Sequence, residues 1–411
     1  VVYPARHARL TRPGRSAREE DTMRKTTVHI AAMSALLLAV SACGSGDEAS
    51  STGGELVGSG SGDSCSIDAE VPIGAVLSLT GAAASYGETQ QRGLELALEE
   101  LNAKEGVTYD LQIEDDATDP KQGITVFEQF AQDDVSLIIG PTLSNTAQQT
   151  DPVAQEEQVP VLGISNTAAG ITEIGDYIHR DSLTEDQVIP QTIAAAKESL
   201  SLSSVVVMYS NDDAFTESGY EAFQAALDDE GIETASTITF SKADTDFRAQ
   251  LTEAKAQNPD ALVVSALIEA AVPLVTQARE LGITAPIIGG NGFNTPALME
   301  GAGEAAEDVI VGAAWNSASE SAENSAFLEA FEAKFDAQPD QFAAQAYAGL
   351  YLVDAAVRAG CSGERDDIKE NLGGLEDVPT VLGTFSFTDG RDADHPAVVQ
   401  IVQGGAFAVL Q

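Results

Sequence analysis

From residue 70 onward, short apolar runs alternate with amphipathic stretches, and this alternation restricts the fold more than any other feature of the chain. VPIGAVLSL (71–79), VSLIIG (135–140), VPVLGIS (159–165), VVVMYS (205–210) and ALVVSAL (261–267) are near-continuous apolar runs of strand length. After the first, Leu94, Ala97, Leu98 and Leu101 fall at the i, i+3, i+4, i+7 spacing of one helix face. YDLQIED (109–115) then reads as a strand and PKQGITVFEQFAQ (120–132) as a helix. Strands apolar on both faces and joined by helices predict an α/β architecture with parallel sheets covered on both sides. The series is too long for one sheet, so two doubly wound lobes are expected. YIHRDSLTEDQ (177–187), VIVGAAWNSASE (309–320) and GTFSFTDGRDAD (383–394) read as passages between them. The first lobe is then 66–180 plus 315–384 and the second 181–314 plus 385–411. Three connecting segments favour hinge closure.

The N-terminal part reads as an address. MRKTTVHIAAMSALLLAVSAC (23–43) has a charged start, a short apolar core and the ending VSAC, which resembles a bacterial lipobox. Residues 23–42 are therefore read as a lipoprotein signal peptide, with Cys43 as the lipidated first residue. Residues 1–22 precede such a signal and read as an upstream extension, translation being expected to start at Met23. Residues 43–65, rich in Gly and Ser, read as a flexible tether. Cys65 sits before the first strand and Cys361 after the helix pattern of 343–360. Strand beginnings and helix ends share one face in parallel α/β folds, so these two are expected to form a disulfide in an oxidising compartment.

Composition narrows the function. The net charge is −44 over 411 residues, and seven of the 21 Lys and Arg precede residue 26. That argues against nucleic acid as a partner. Beyond Cys43 only His179 and His395 remain, and no CxxC or HExxH occurs, so no metal is expected. GAGEAA (301–306) matches GxGxxA loosely but follows ALME rather than a strand. No phosphate loop or nucleophile elbow is present, and neither an enzymatic activity nor a cofactor is expected.

Ligands of open α/β sheets bind beyond the carboxyl ends of strands. The loops there are SLTGAAASYG (78–87), GPTLSNTAQQT (140–150), SNTAAGITEIG (165–175), NDDAFTESG (211–219) and GGNGFNTPA (289–297). All are rich in small residues, hydroxyls and amides, and none offers Arg or Lys. Hydroxyls and a helix N-terminus can hold a single carboxylate without basic side chains. Ser144 reads as a residue that either caps the following helix or faces a ligand; Ser144→Ala is expected to weaken binding with little loss of stability.

SLTGAAASYGETQQRGLELALEELN (78–102) resembles the first motif of the leucine–isoleucine–valine-binding protein family, type I periplasmic binding proteins of ABC importers. LIIGPTLSNTAQQTDPVAQEEQVPVLGISNTAAGITEIGDYIHR (137–180) resembles its second and third motifs. The resemblance implies two Rossmann-like lobes on a three-segment hinge, capture of a small ligand in the cleft, and delivery to permease and ATPase subunits by a lipid-anchored monomer outside the cytoplasm. It puts Ser144 and Asn145, then Ser165, Asn166 and Thr167, at the ligand carboxylate. Tyr86 becomes a lining residue, Glu185 the partner of a ligand ammonium, and Phe215 a ring packed on the ligand. Asn291 stands where binders of branched-chain amino acids often carry Glu, which leaves amino acids, amides and aromatic carboxylates open. A sensory receptor on the same fold, or a hydrolase, is the alternative.

Overall fold

The computed structural model describes residues 56–410; the expected start at Met23, the signal peptide and Cys43 lie outside the described residues. The chain enters its first sheet through β1 (Val71–Leu77), α1 (Ala84–Asn102), β2 (Tyr109–Asp115), α2 (Pro120–Gln132), β3 (Leu137–Ile139), α3 (Ser144–Glu156), β4 (Val161–Gly163) and β5 (Ile178–Arg180). The strand order is β2-β1-β3-β4-β5, and each neighbouring pair is parallel. β3, β4 and β5 are buried along their whole length, whereas in β2 only Tyr109 is buried and half-buried positions alternate with exposed ones after it.

The second sheet repeats the pattern. α4 (Glu185–Leu200), β6 (Ser204–Ser210), α5 (Ala214–Asp229), β7 (Glu233–Phe240), α6 (Arg248–Ala256), β8 (Ala261–Ser265), α7 (Ile268–Glu280), β9 (Ile287–Gly289), α8 (Ala297–Ala302) and β10 (Ile310–Ala313) follow in order. The chain returns to the first lobe with α9 (Ala322–Phe335), α10 (Gln341–Gly360), α11 (Arg365–Gly373), β11 (Val378–Thr380), β12 (Gly383–Phe387) and β13 (Ala393–Asp394). It ends on β14 (Val398–Gln403) and β15 (Ala406–Val409). The second sheet runs β15-β14-β10-β9-β8-β6-β7, its last five strands parallel and β14 and β15 antiparallel.

α1 and α10 lie side by side on the first sheet. Gly93 makes this possible: a Cβ there would stand 2.2 Å from the Ala343 carbonyl oxygen. Their apolar faces join β1, β3 and β4 in one core containing Leu94, Leu101, Leu350 and Val353.

Two expectations are corrected. GTFSFTDGRDAD (383–394) is not a passage between lobes. It forms β12 and β13 of a small antiparallel sheet with β11, and Phe385, Phe387 and Ala393 are buried in the first-lobe core. The boundary expected between 384 and 385 falls inside β12, and the return to the second sheet lies between β13 and β14. The expected tether also ends too late. Gly58 N–H donates to the Cys361 carbonyl (2.9 Å), Ser59 and Ser66 exchange main-chain bonds, and Gly363 N–H donates to the Leu56 carbonyl (2.8 Å). Residues 56–65 are thus pinned to the end of α10.

The Cys65 and Cys361 sulfurs are 2.15 Å apart. They lie at the end of α10 opposite Gln341, about 30 Å away along a 20-residue helix. A bond there closes a loop spanning 296 positions, so Cys361→Ser is expected to lower unfolding stability by up to about 5 kcal/mol. Urea denaturation measures this, and the oxidised protein should lose the same increment on reduction.

Candidate functional site

In each sheet the strand order reverses once, between β1 and β3 in the first and between β6 and β8 in the second. Loops leaving such a pair diverge and open a crevice beyond the carboxyl ends. The two crevices face one another and enclose a cavity of about 300 Å³ counting its mouth, at the low end for small-molecule pockets. Tyr86, Thr142, Leu143, Ser144 and Ser165 line it from the first lobe, and Phe215, Leu267, Asn291 and Gly292 from the second. Phe342, at the start of α10, completes it.

Ser144 is the first residue of α3, not its cap. Leu143 holds the N-cap position, and no side chain caps the helix. Thr146 N–H turns back to the Leu143 carbonyl (3.1 Å), and the Ser144 and Asn145 N–H groups are left for another acceptor. Ser144 Oγ accepts from Thr167 N–H (3.1 Å) and Ala168 N–H (3.2 Å). With both lone pairs engaged, what Ser144 can still offer is its hydroxyl proton. This overturns the expectation that Ser144→Ala costs little stability, because it would leave two buried N–H groups without an acceptor, at about 1–3 kcal/mol each.

The loop carrying Thr167 and Ala168 is held from behind. The buried Arg180 guanidinium donates to the Ala168 carbonyl (2.7 Å) and the Asn166 carbonyl (3.3 Å), and pairs with Asp392 at 2.5 Å. Ser165 Oγ donates to the Thr142 carbonyl (2.7 Å) and accepts from Gln90 Nε2 (2.6 Å). Thr142 Oγ1 in turn donates to Gln90 Oε1 (2.7 Å). The first-lobe wall is thus a closed polar network.

The second lobe meets a buried acid. Glu185 Oε1 accepts from Thr167 Oγ1 (2.9 Å), while Oε2 has no partner. A Cβ on Gly219 would lie within 4 Å of both Glu185 Oε2 and Ser265 Oγ, and that hydroxyl is likewise buried and unpartnered. The two atoms share a polar niche behind the cavity. Burial pushes the Glu185 carboxyl up from 4.5 to about 7, against the opposing Thr167 hydrogen bond. Glu269, beside Leu267, is likewise raised to about 7 by burial.

Side chains from each lobe latch onto the other. Tyr86 Oη donates to the Gly292 carbonyl (2.8 Å) and accepts from Ile268 N–H (2.8 Å), while its ring packs on Phe342 at 4.5 Å between centroids. Asn145 Nδ2 donates to Asp213 Oδ2 (2.5 Å), Asn145 Oδ1 accepts from Ala214 N–H (2.8 Å), and Ala169 N–H donates to Ser218 Oγ (3.1 Å). The small residues of 78–87 serve the fold as well as the cavity, for a Cβ on Gly87 would stand 2.1 Å from the Ser78 carbonyl oxygen.

Five of the nine residues singled out by sequence line the cavity: Tyr86, Ser144, Ser165, Phe215 and Asn291. The other four do not. Asn145 spends both ends of its amide on the second lobe, and Asn166 Nδ2 donates backward to the Pro141 carbonyl (3.1 Å). Thr167 and Glu185 bond to each other behind Ser144. Sequence reasoning missed Thr142, Leu143, Leu267, Gly292 and Phe342 on the walls, and Gln341, whose amide nitrogen donates to Asn291 Oδ1.

The periplasmic binding protein family profile matches residues 70–406. The chain belongs to that family. A Leu/Ile/Val-binding protein of Rhizobium johnstonii, BraC3, is 27% identical over 332 residues, covering 79% of this chain and 89% of its own. The branched-chain amino acid transporter substrate binding protein LivJ of Streptococcus pneumoniae, solved with isoleucine, is 28% identical with a TM-score of 0.78, over 82% of this chain and 98% of its own. The leucine binding protein LivK of Thermotoga maritima superposes with a TM-score of 0.79 at 24% identity, over 82% of this chain and 97% of its own. The expected fold, two parallel α/β lobes of the type I periplasmic binding protein class, is what the structure has.

The folded protein holds Glu185 protonated up to about 7, whereas the unfolded chain ionises near 4.5. The destabilisation from burying its charge is therefore full above pH 7 and fades as the pH falls to 4.5. Glu185→Gln is expected to stabilise the ligand-free protein by up to about 3 kcal/mol above pH 7, with the gain vanishing near 4.5. Urea midpoints across that range test it, and a pH-independent gain would contradict it.

Proposed function

We propose that this periplasmic binding protein captures a small carboxylate-bearing solute, foremost an amino acid with an apolar side chain, and serves an ABC importer. One observation carries the reading. The N-terminus of α3 has no side-chain cap, and its first residue, Ser144, has a hydroxyl proton to give, at the wall of an apolar cavity between two switch points. A ligand carboxylate satisfies both, as an anion at a helix N-terminus. Tyr86, Leu143, Phe215, Leu267 and Phe342 supply an apolar seat for the side chain. Glu185 Oε2 and Ser265 Oγ are the groups a ligand ammonium would satisfy.

Kinship with BraC3 and the isoleucine-bound LivJ, at 27% and 28% identity, supports branched-chain amino acids as the first candidates. Asn291 favours a ligand with room for an amide as well. The protein acts by lobe closure without catalysis, as a monomer outside the cytoplasm, anchored through Cys43 and strengthened by a Cys65–Cys361 disulfide. It hands its ligand to a permease driven by ATPase subunits.

Calorimetric titration with leucine, phenylalanine, benzoate and phenylacetamide tests the reading. At least one carboxylate is expected to bind at micromolar strength, about −8 kcal/mol. Glu185→Gln should weaken leucine at least tenfold and leave benzoate unchanged, and leucine affinity should fall as the pH drops below 7, where Glu185 takes up its proton. Phe215→Ala should weaken every ligand by about 1–3 kcal/mol. Failure of all four solutes to bind below millimolar concentration would reject the carboxylate assignment.

A further inference from the structure

Two side chains on the wall of the cleft still have hydrogen bonds to give. Tyr86 Oη, Ser165 Oγ and Thr142 Oγ1 each already donate one bond and accept one within the protein. Ser144 keeps its hydroxyl proton, and Asn291 keeps one end of its amide.

Which end Asn291 keeps is decided outside the cavity. The main-chain N–H of Ala314, just after β10, can only donate. It donates to the side chain of Gln341 (2.9 Å), so the atom it meets is the oxygen, Oε1. Asn294 Nδ2 donates to the same oxygen (2.7 Å), and Asn294 is itself held by Gln400, whose Nε2 donates to Asn294 Oδ1 (3.1 Å) and to the Trp315 carbonyl (3.3 Å). The Gln341 nitrogen therefore points the other way and donates to Asn291 Oδ1. Turning the Asn291 amide over would set two NH2 groups against each other. Asn291 Nδ2 has no hydrogen-bond partner among the described residues, yet it is not sealed among protein atoms. The cavity that Asn291 lines is the cleft, and Gln341 does not line it.

The cleft thus presents donors at two places, the α3 end and Asn291 Nδ2. A solute that is apolar opposite Asn291 would leave a desolvated amide unpaired, and an ammonium or N–H there would meet another donor. A second carboxylate would be buried with no Lys or Arg on the wall. A neutral oxygen satisfies the amide. We infer, building on the carboxylate capture proposed above, that the solute also carries a neutral carbonyl oxygen which accepts from Asn291 Nδ2, and that Gln341 is the positioning residue that sets this polarity. An oxo acid on a short aliphatic or aromatic body has both features.

Calorimetric titration of matched acids tests this. 4-Methyl-2-oxopentanoate is compared with 4-methylpentanoate, and 4-oxopentanoate with pentanoate, so that the added oxygen is sampled next to the carboxylate and two carbons further out. In at least one pair the oxo acid is expected to bind about tenfold tighter or more. Asn291→Asp keeps an acceptor for Gln341 and turns an acceptor toward the cavity, so the preference within that pair should vanish. Gln341→Met frees the Asn291 amide to turn over and should lower the same ratio; a merely structural role would weaken both acids alike. Equal affinities within both pairs, with the acids themselves binding, overturn the carbonyl assignment and leave carboxylate capture standing. No binding by any of the four acids rejects carboxylate capture and the carbonyl with it. A preference that survives Asn291→Asp overturns the role of Nδ2, and a ratio unchanged in Gln341→Met overturns that of Gln341.

Discussion

Every helix that follows a parallel strand starts at the same edge of its sheet, and in this protein the two such edges face each other. α1, α3, α5 and α7 therefore all point their N-termini into one gap. Each brings unsatisfied N–H groups and the positive end of its dipole. A chain with a net charge of −44 thereby obtains an anion-favouring interior without placing one basic side chain on the cavity wall. The helix ends differ in what satisfies them. α5 is capped by the Asp213 side chain, α7 gives its Ile268 N–H to Tyr86, and α3 starts uncapped at Ser144. α1 also starts without a side-chain cap; under the proposed function α3 is the ligand's end because Ser144 adds a hydroxyl proton at the cavity wall.

Counterweights to that positive field are buried close by. Glu185 and Glu269 are held near neutrality by burial, each at about 7, and Asp340 is raised to about 6. In the ligand-free protein these acids remain protonated more readily than their exposed counterparts, so the gap is not crowded with like charges. A ligand bearing both charges finds opposite complements within one cleft: uncapped N–H groups on one side and an ionisable acid on the other. A ligand lacking an ammonium leaves Glu185 protonated and still keeps the α3 contact. Under the proposed function a zwitterion and a simple carboxylate would then differ in that the zwitterion releases the Glu185 proton on binding and the simple carboxylate does not.

How much of this was legible in the sequence depended on whether the signal was local. The apolar runs identified the strands because burial on both faces leaves a continuous pattern, and topology pointed to the loops after them, while the family resemblance picked Tyr86, Ser165, Phe215 and Asn291 out of those loops. Phe342 and Gln341 come from the start of α10, which reaches the cleft only after the chain has crossed back; nothing in QPDQFAAQ marks that position. The segment GTFSF alternates as a strand should, but period alone does not say which core receives Phe385 and Phe387, and the lobe boundary was misplaced for that reason. The repeat of strand order, β2-β1-β3-β4-β5 mirrored by β7-β6-β8-β9-β10, leaves no residue-level periodicity, because pairing order lives in tertiary contacts.

The latches between the lobes govern what a ligand must supply. Tyr86 Oη has both a donor and an acceptor partner on the second lobe, and Asn145 uses both ends of its amide there. These bonds form only when the lobes approach, so they stabilise the closed arrangement whether or not the cavity is filled. A ligand promotes closure only by the interactions it adds beyond them. The additions available are the first turn of α3, the Ser144 proton, the free oxygen of Glu185 and the apolar walls. Of these, Glu185 has the steepest dependence on ligand chemistry. Its unpartnered oxygen destabilises the closed form while ionised, and an ammonium turns that cost into an attraction. Under the proposed function, an ammonium-bearing solute differs from a plain carboxylate at this one carboxyl group, whereas the Tyr86 latch is common to both.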